Sequence, residues 1–164
     1  GVVYAPFSNA PQGISDRGGG LQAFALKDGQ LLWRKDFYLG AYNAPAVGRR
    51  SSGAGLSVVQ PLGQWGPGSI YELHALNAET GETQWIFKGP TQAGLRQGTR
   101  DLSDAQVLST NIMYYTNPWS TPTIDAKGTV YIMNSEGPIY ALRDADGDGI
   151  VEGDAEVSSY DAIQ

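Results

Sequence analysis

Short runs in which apolar and polar residues alternate recur along the chain, and glycine or another turn-forming residue ends most of them. A period of two is the mark of a strand with one buried face. Tyr71-Glu-Leu-His-Ala-Leu reads this way, and Gly1-Val2-Val3-Tyr4 also reads as strand. The pattern also repeats itself. Leu21-Gln-Ala-Phe-Ala25-Leu26-Lys-Asp-Gly29-Gln-Leu-Leu-Trp33 matches Glu72-Leu-His-Ala75-Leu76-Asn-Ala-Glu-Thr-Gly81-Glu-Thr-Gln-Trp85, so each copy runs Ala-Leu, a polar turn, Gly, three residues, Trp. A third copy begins at Gly137-Pro-Ile-Tyr-Ala141-Leu142, with Asp144-Ala-Asp-Gly-Asp-Gly149 in place of the turn and Tyr160 expected where Trp stood.

A strand pair precedes the second and third copies. Asn43-Ala-Pro-Ala-Val47 with Gly55-Leu-Ser-Val-Val-Gln60 stands before one, and Ser120-Thr-Pro-Thr-Ile124 with Gly128-Thr-Val-Tyr-Ile-Met133 before the other. Each unit therefore holds four strands. Units of ~40 to 50 residues with four antiparallel strands have the period of a β-propeller blade. In that setting the Gly suits a turn position with φ > 0, and the Trp wedges a large ring between neighbouring sheets. A β-sandwich also alternates apolar residues and turns; the fixed Ala-Leu, Gly, Trp register is what favours the propeller.

At these residues the chain resembles the repeat of pyrroloquinoline-quinone (PQQ)-type propellers, the quinoprotein alcohol dehydrogenase-like superfamily. The likeness lies in Ser120-Thr-Pro-Thr-Ile-Asp-Ala-Lys-Gly-Thr-Val-Tyr-Ile with Gly137-Pro-Ile-Tyr-Ala-Leu, and in Ala75 to Trp85, and covers about two thirds of the chain. With the unit count it gives an all-β fold, a partial β-propeller of about three four-stranded blades, to which the acidic loop described below adds one calcium loop: blades at about 1–37 (lacking its first strand), 38–89 and 119–160, and an insertion at 90–118. Closed propellers take four to eight blades. The chain is thus expected to be a segment of a longer polypeptide, or to draw its remaining blades from other chains. Within the insertion, 101–108 is expected as one short helix. The stretch from Gly48 to Gly68, holding Trp65, is expected as a long hairpin loop.

Composition agrees with strands and turns: 22 Gly, nine Pro, nine Tyr, four Trp and four Phe. A net charge of −6, with only 11 Lys and Arg, scattered, argues against nucleic acid, which recruits clustered basic residues. No apolar stretch approaches the ~20 residues of a membrane helix. With no cysteine there are no disulfides, thiolate zinc sites or cysteine nucleophiles.

The sharpest chemical signal is Asp144-Ala-Asp146-Gly-Asp148-Gly149-Ile150-Val-Glu152-Gly-Asp154-Ala-Glu156. Carboxylates at loop positions 1, 3 and 5, Gly at 6 and a backbone carbonyl at 7 wrap a hard cation in oxygen ligands. The ligand set expected for Ca2+ is Asp144, Asp146, Asp148, the Ile150 carbonyl and Glu152, completed by Asp154 or Glu156. The loop resembles the Asp-x-Asp-x-Asp-Gly part of an EF-hand, but Ala155 stands where an EF-hand has its bidentate Glu, and the flanks read as strands. Because every ligand is local, the metal is expected to be structural. A loop short of charged ligands binds weakly, which suits a calcium-rich, non-cytosolic compartment.

The single His74 lies in a strand and is expected to pack there or meet water, since nothing else supports a triad or a histidine metal site. Gly18-Gly-Gly20 and Gly53-Ala-Gly55 lack the rest of a phosphate loop or dinucleotide fingerprint and read as turns. Trp119 and Tyr114-Tyr115 are expected in core or inter-blade packing rather than on a ligand surface. Two functions follow. The first is a non-catalytic scaffold or protein-interaction module stabilised by calcium. The alternative, implied by the resemblance, is a fragment of a PQQ-dependent dehydrogenase; against it, such enzymes commonly set a vicinal Cys pair beside the quinone, and this chain has none.

Overall fold

Turn residues cut the alternating runs into short antiparallel strands. In the computed structural model, which describes residues 1–9, 18–63, 70–90, 119–134 and 137–161, these make three separate sheets. The first is β1 (Val2–Ser8), β2 (Gly19–Ala25) and β3 (Leu31–Phe37). The second is β4 (Ala46–Arg49), β5 (Leu56–Gly63), β6 (Tyr71–Asn77) and β7 (Thr83–Lys88). The third is β8 (Thr123–Ile124), β9 (Val130–Met133), β10 (Pro138–Leu142) and β11 (Val157–Asp161). Within each sheet every strand pairs with its neighbour in sequence, and no helix occurs among the described residues. The all-β class is as the sequence implies. Strand β5 occupies much of the stretch expected as a hairpin loop, while Trp65, Tyr114, Tyr115 and the expected helix at 101–108 lie outside the described residues.

The sheets share one internal register. In the first, Trp33 lies opposite Ala23, and the hairpin closes with Gly29 N–H donating to Ala25 O at 2.8 Å. In the second, Trp85 lies opposite Ala75, and Gly81 N–H donates to Asn77 O at 2.8 Å. Both glycines have left-handed backbone, φ 72° and 74°, and both hairpins carry a register shift just after the alanine. The structural match of Ala75-Leu76 is therefore Ala23-Phe24, not Ala25-Leu26. A glycine-to-tryptophan spacing shared by both copies hides this two-residue offset, because the shorter segment lies before the glycine.

In the third sheet Ala141 lies opposite Ser158, and Arg143 N–H donates to Glu156 O as Asn77 N–H does to Glu82 O. The acidic loop thus stands where residues 78–81 stand in the second sheet. Tyr160 lies opposite Ile139, as Phe87 lies opposite Leu73. Tyr160 takes the place of Phe87, and Ser158 that of the tryptophan, which corrects the expectation from sequence.

Side chains from facing sheets form two cores. Leu21 and Phe37 of the first sheet meet Val58, Leu62 and Leu76 of the second, with Tyr4 and Trp33 packed alongside. The opposite face of the second sheet, Val59, Leu73, Ala75, Trp85 and Phe87, meets Val130, Ile132 and Leu142 of the third. Each such Val, Leu, Ile or Phe side chain, when fully buried, stabilises by about 1.5–3 kcal/mol. Tyr4 and Trp33 both donate to the Ala78 carbonyl, at 2.9 and 3.1 Å, and so tie the first sheet to the turn of the second.

Candidate metal centre

The loop between β10 and β11 is built by its own aspartates. Asp144 Oδ1 accepts from Gly147 N–H at 2.8 Å, Asp146 Oδ1 from Asp148 N–H at 3.1 Å, and Asp148 Oδ1 from Ile150 N–H at 2.8 Å. Short polar side chains capping the backbone a few residues on is a habit of Asp. Glycines 147, 149 and 153 supply the positive φ that winds the chain back.

Glu156, the last residue before β11, closes the loop from the far side. Its Oε1 accepts from Ala145 N–H at 2.5 Å and Asp146 N–H at 3.2 Å, and its Oε2 from Glu152 N–H at 3.1 Å. Asp144, Asp146 and Glu156 each place one oxygen within 4.8 Å of the others, a group that could hold a metal ion. Asp144 and Glu156 are buried, Asp146 exposed. Asp148, Glu152 and Asp154 are exposed and are not part of that group. An all-oxygen, all-carboxylate donor set suits a hard cation rather than a soft one.

Burial pushes the Asp144 carboxyl above its ordinary value; Gly147 N–H opposes this and the charges of Glu156, Asp146 and Asp148 add to it. Glu156 goes the other way. The N–H groups of Ala145, Glu152 and Asp146 outweigh its desolvation and hold it low. The site thus keeps anionic oxygen crowded together, a repulsion that a divalent cation reverses.

The outward side of the same segment touches the second sheet. Ile86 N–H of β7 donates to Gly149 O at 3.0 Å, and Val151 N–H donates to Ile86 O at 2.9 Å, a short parallel bridge centred on Ile150 and Ile86. In an extended segment the peptide groups alternate in direction. Those of Gly149 and Val151 therefore face β7, whereas Ile150 N–H turns into the loop toward Asp148. Val151 is 2% exposed and joins the core around Trp85 and Phe87. No sequence signal pointed to this contact, since it depends on which edge strand the hairpin meets.

His74 is not idle on its strand. Its Nε2 lies 2.8 Å from Glu72 Oε2, its ring stands edge-on to Phe37 at 5.2 Å, and Tyr38 Oη donates to Glu72 Oε1 at 2.5 Å. These groups form a polar patch within the contact between the first two sheets. Trp119 is core: it packs 5.9–6.3 Å from Tyr71, Phe87 and Tyr140. Gly53 and Gly55 lie in the bend between β4 and β5, but Gly19 and Gly20 belong to β2; a side chain on Gly20 would strike the Phe7 ring. No known protein family matches the chain, and no curated protein does.

Proposed function

We propose that this chain is a non-catalytic, calcium-binding segment of a β-propeller with PQQ-type repeats, serving as a scaffold for protein assembly. The observation that carries this reading is the two-sidedness of residues 148–151: carboxylate and peptide groups face the acidic loop on one side, while hydrogen bonds reach β7 on the other. A cation held there braces one sheet against the next and has no need of a substrate. Asp144, Asp146 and Glu156 would ligate it, with the Ile150 carbonyl supplying a neutral oxygen. Three consecutive sheets of one register support the propeller architecture, in which further sheets come from the rest of a longer polypeptide or from other chains. A loop with this few charged ligands suits a calcium-rich, non-cytosolic compartment.

Calcium titration calorimetry on the whole chain tests this. One site per chain is expected, together with a melting temperature raised by calcium and lowered by EDTA, and Asp144→Asn combined with Asp146→Asn should abolish both. A melting temperature indifferent to EDTA would remove the calcium reading. Stoichiometric PQQ binding with alcohol-dependent dye reduction would replace the scaffold by the dehydrogenase.

A further inference from the structure

Between the second and third sheets lies a cleft of about 730 Å³, lined by Phe87 of β7, Tyr140 of β10 and, further along, Val151, Val157 and Ser159. The rings of Phe87 and Tyr140 stand 5.4 Å apart. Ser159 lies opposite Tyr140 as Ile86 lies opposite His74, so a small side chain stands where the second sheet has a large one. The volume is within the ~300–1,000 Å³ of ligand sites, whose lining is mostly apolar with a few polar groups.

One border of the cleft is a strand edge with open peptide groups. Strand β7 is outermost in its sheet, and its peptide groups point alternately into the sheet and away from it. Gly89 N–H points inward, donating to Tyr71 O at 2.7 Å, while both peptide groups of Ile86 point outward to Gly149 and Val151. By the same alternation those of Lys88 point outward. The loop does not reach them, because after Val151 it turns away, Glu152 N–H being drawn to Glu156 Oε2 at 3.1 Å. The edge thus accepts an extended segment at Ile86 and stays open one step further on, beside the cleft.

The mouth is acidic. Glu152 and Asp154 line the cleft, are exposed, and lie outside the group that could hold a metal. Lys88 is the one basic residue of the lining, and its side chain, alternating with that of Phe87, lies on the other face of β7 beside Glu72, its opposed residue. The carboxylates therefore have no cation turned toward them in the cleft, on a chain of net charge −6.

We infer that this cleft takes an extended peptide of a partner protein, whose backbone pairs with Lys88, whose apolar side chain enters onto Phe87 and Tyr140, and whose flanking basic side chains reach Glu152 and Asp154. Neighbouring side chains of an extended peptide point opposite ways, so basic, apolar, basic is the order that fits. Addition of a strand to an open edge, with pockets reading alternate side chains, is a recurring mode of peptide recognition. The inference rests on the protein-interaction reading and names the chemistry of the partner.

The test is fluorescence anisotropy on the whole chain in calcium with the labelled peptide Gly-Ser-Arg-Phe-Arg-Ser-Gly, together with amide hydrogen exchange. One peptide per chain is expected, and it should slow exchange at the Lys88 amide. Ser159→Trp, which fills the cleft, should abolish binding with circular dichroism and the calcium titration unchanged. Glu152→Gln combined with Asp154→Asn should weaken binding by about 2- to 30-fold, the loss of two exposed ion pairs. Absence of binding to the wild type, as when the chain's own residues or a second copy fill the cleft, would overturn the inference. So would undiminished binding by Ser159→Trp, or equal binding of a peptide with Glu in place of both Arg. A chain that binds one calcium but no peptide sinks the cleft alone, whereas one that binds the peptide but no calcium sinks only the metal reading.

Discussion

The six-membered ring of Trp33 occupies the space that a side chain on Gly81 would need. A Cβ built on Gly81 would lie 2.7 Å from Trp33 Cε3. Gly29 occupies the same turn position in its own hairpin with nothing within 4 Å. The left-handed backbone is common to both, so the pair separates strain from packing. Gly29→Ala should cost about 1 kcal/mol for the backbone alone. Gly81→Ala should cost about 1–3 kcal/mol more, since the ring must move. Urea unfolding of the two variants checks this, and equal losses would refute the packing role.

Trp85 is 2% exposed, whereas Trp33 is only half-buried. Trp85→Ala should therefore lose about 3–5 kcal/mol, and Trp33→Ala less, in spite of its hydrogen bond to Ala78. Denaturant midpoints at constant m-value give the comparison.

Calcium should slow hydrogen exchange at the Ile86 and Val151 amides, which bridge the loop to β7. If opening that bridge breaks the site, calcium at 100 times its Kd suppresses the opening by about 100-fold. Asp144→Asn should abolish the effect. Amides of β2, remote from the loop, serve as the control.

Stability should fall at both ends of the pH scale through Glu72 and Tyr38. Burial would raise the Glu72 carboxyl, but hydrogen bonds from His74 and Tyr38 and the charges of His74 and Lys88 hold it below its ordinary 4.5. A carboxyl lowered on folding stabilises fully above its unfolded value, and that contribution disappears as the pH drops through the folded one. Burial, then the hydrogen bond to Glu72, pushes the Tyr38 phenol from 10.0 up to about 12. A phenol raised on folding contributes fully below its unfolded value, and the contribution is lost between pH 10 and about 12. Melting temperatures across pH should show both limbs; Tyr38→Phe should weaken the alkaline limb and shift the acid limb upward.

Local chemistry made part of this legible in the sequence. The Gly29 and Gly81 turns, the tryptophan offsets and the aspartates at 144, 146 and 148 each follow from rules that act over a few residues. Long-range placement did not. The second sheet is covered on both faces, so β5 is buried from Ser57 to Gly63 and shows no alternation to mark its extent. Ser158, not Tyr160, took the place of tryptophan because β11 pairs with β10 without the bulge that precedes Trp85 in the second sheet. Glu156 was one of two residues offered in place of the ligand missing at Ala155; the hairpin's exit direction, which no spacing reveals, turns its carboxylate inward.

The bridge at Ile86 has a further consequence for the rim of the second sheet. An outermost strand with free amides and carbonyls is a template on which a stranger's strand can add. By occupying both peptide groups of Ile86, the loop blunts that rim at its middle; if the loop holds calcium as proposed, a chain stripped of it should be the more prone to fibrillar aggregation.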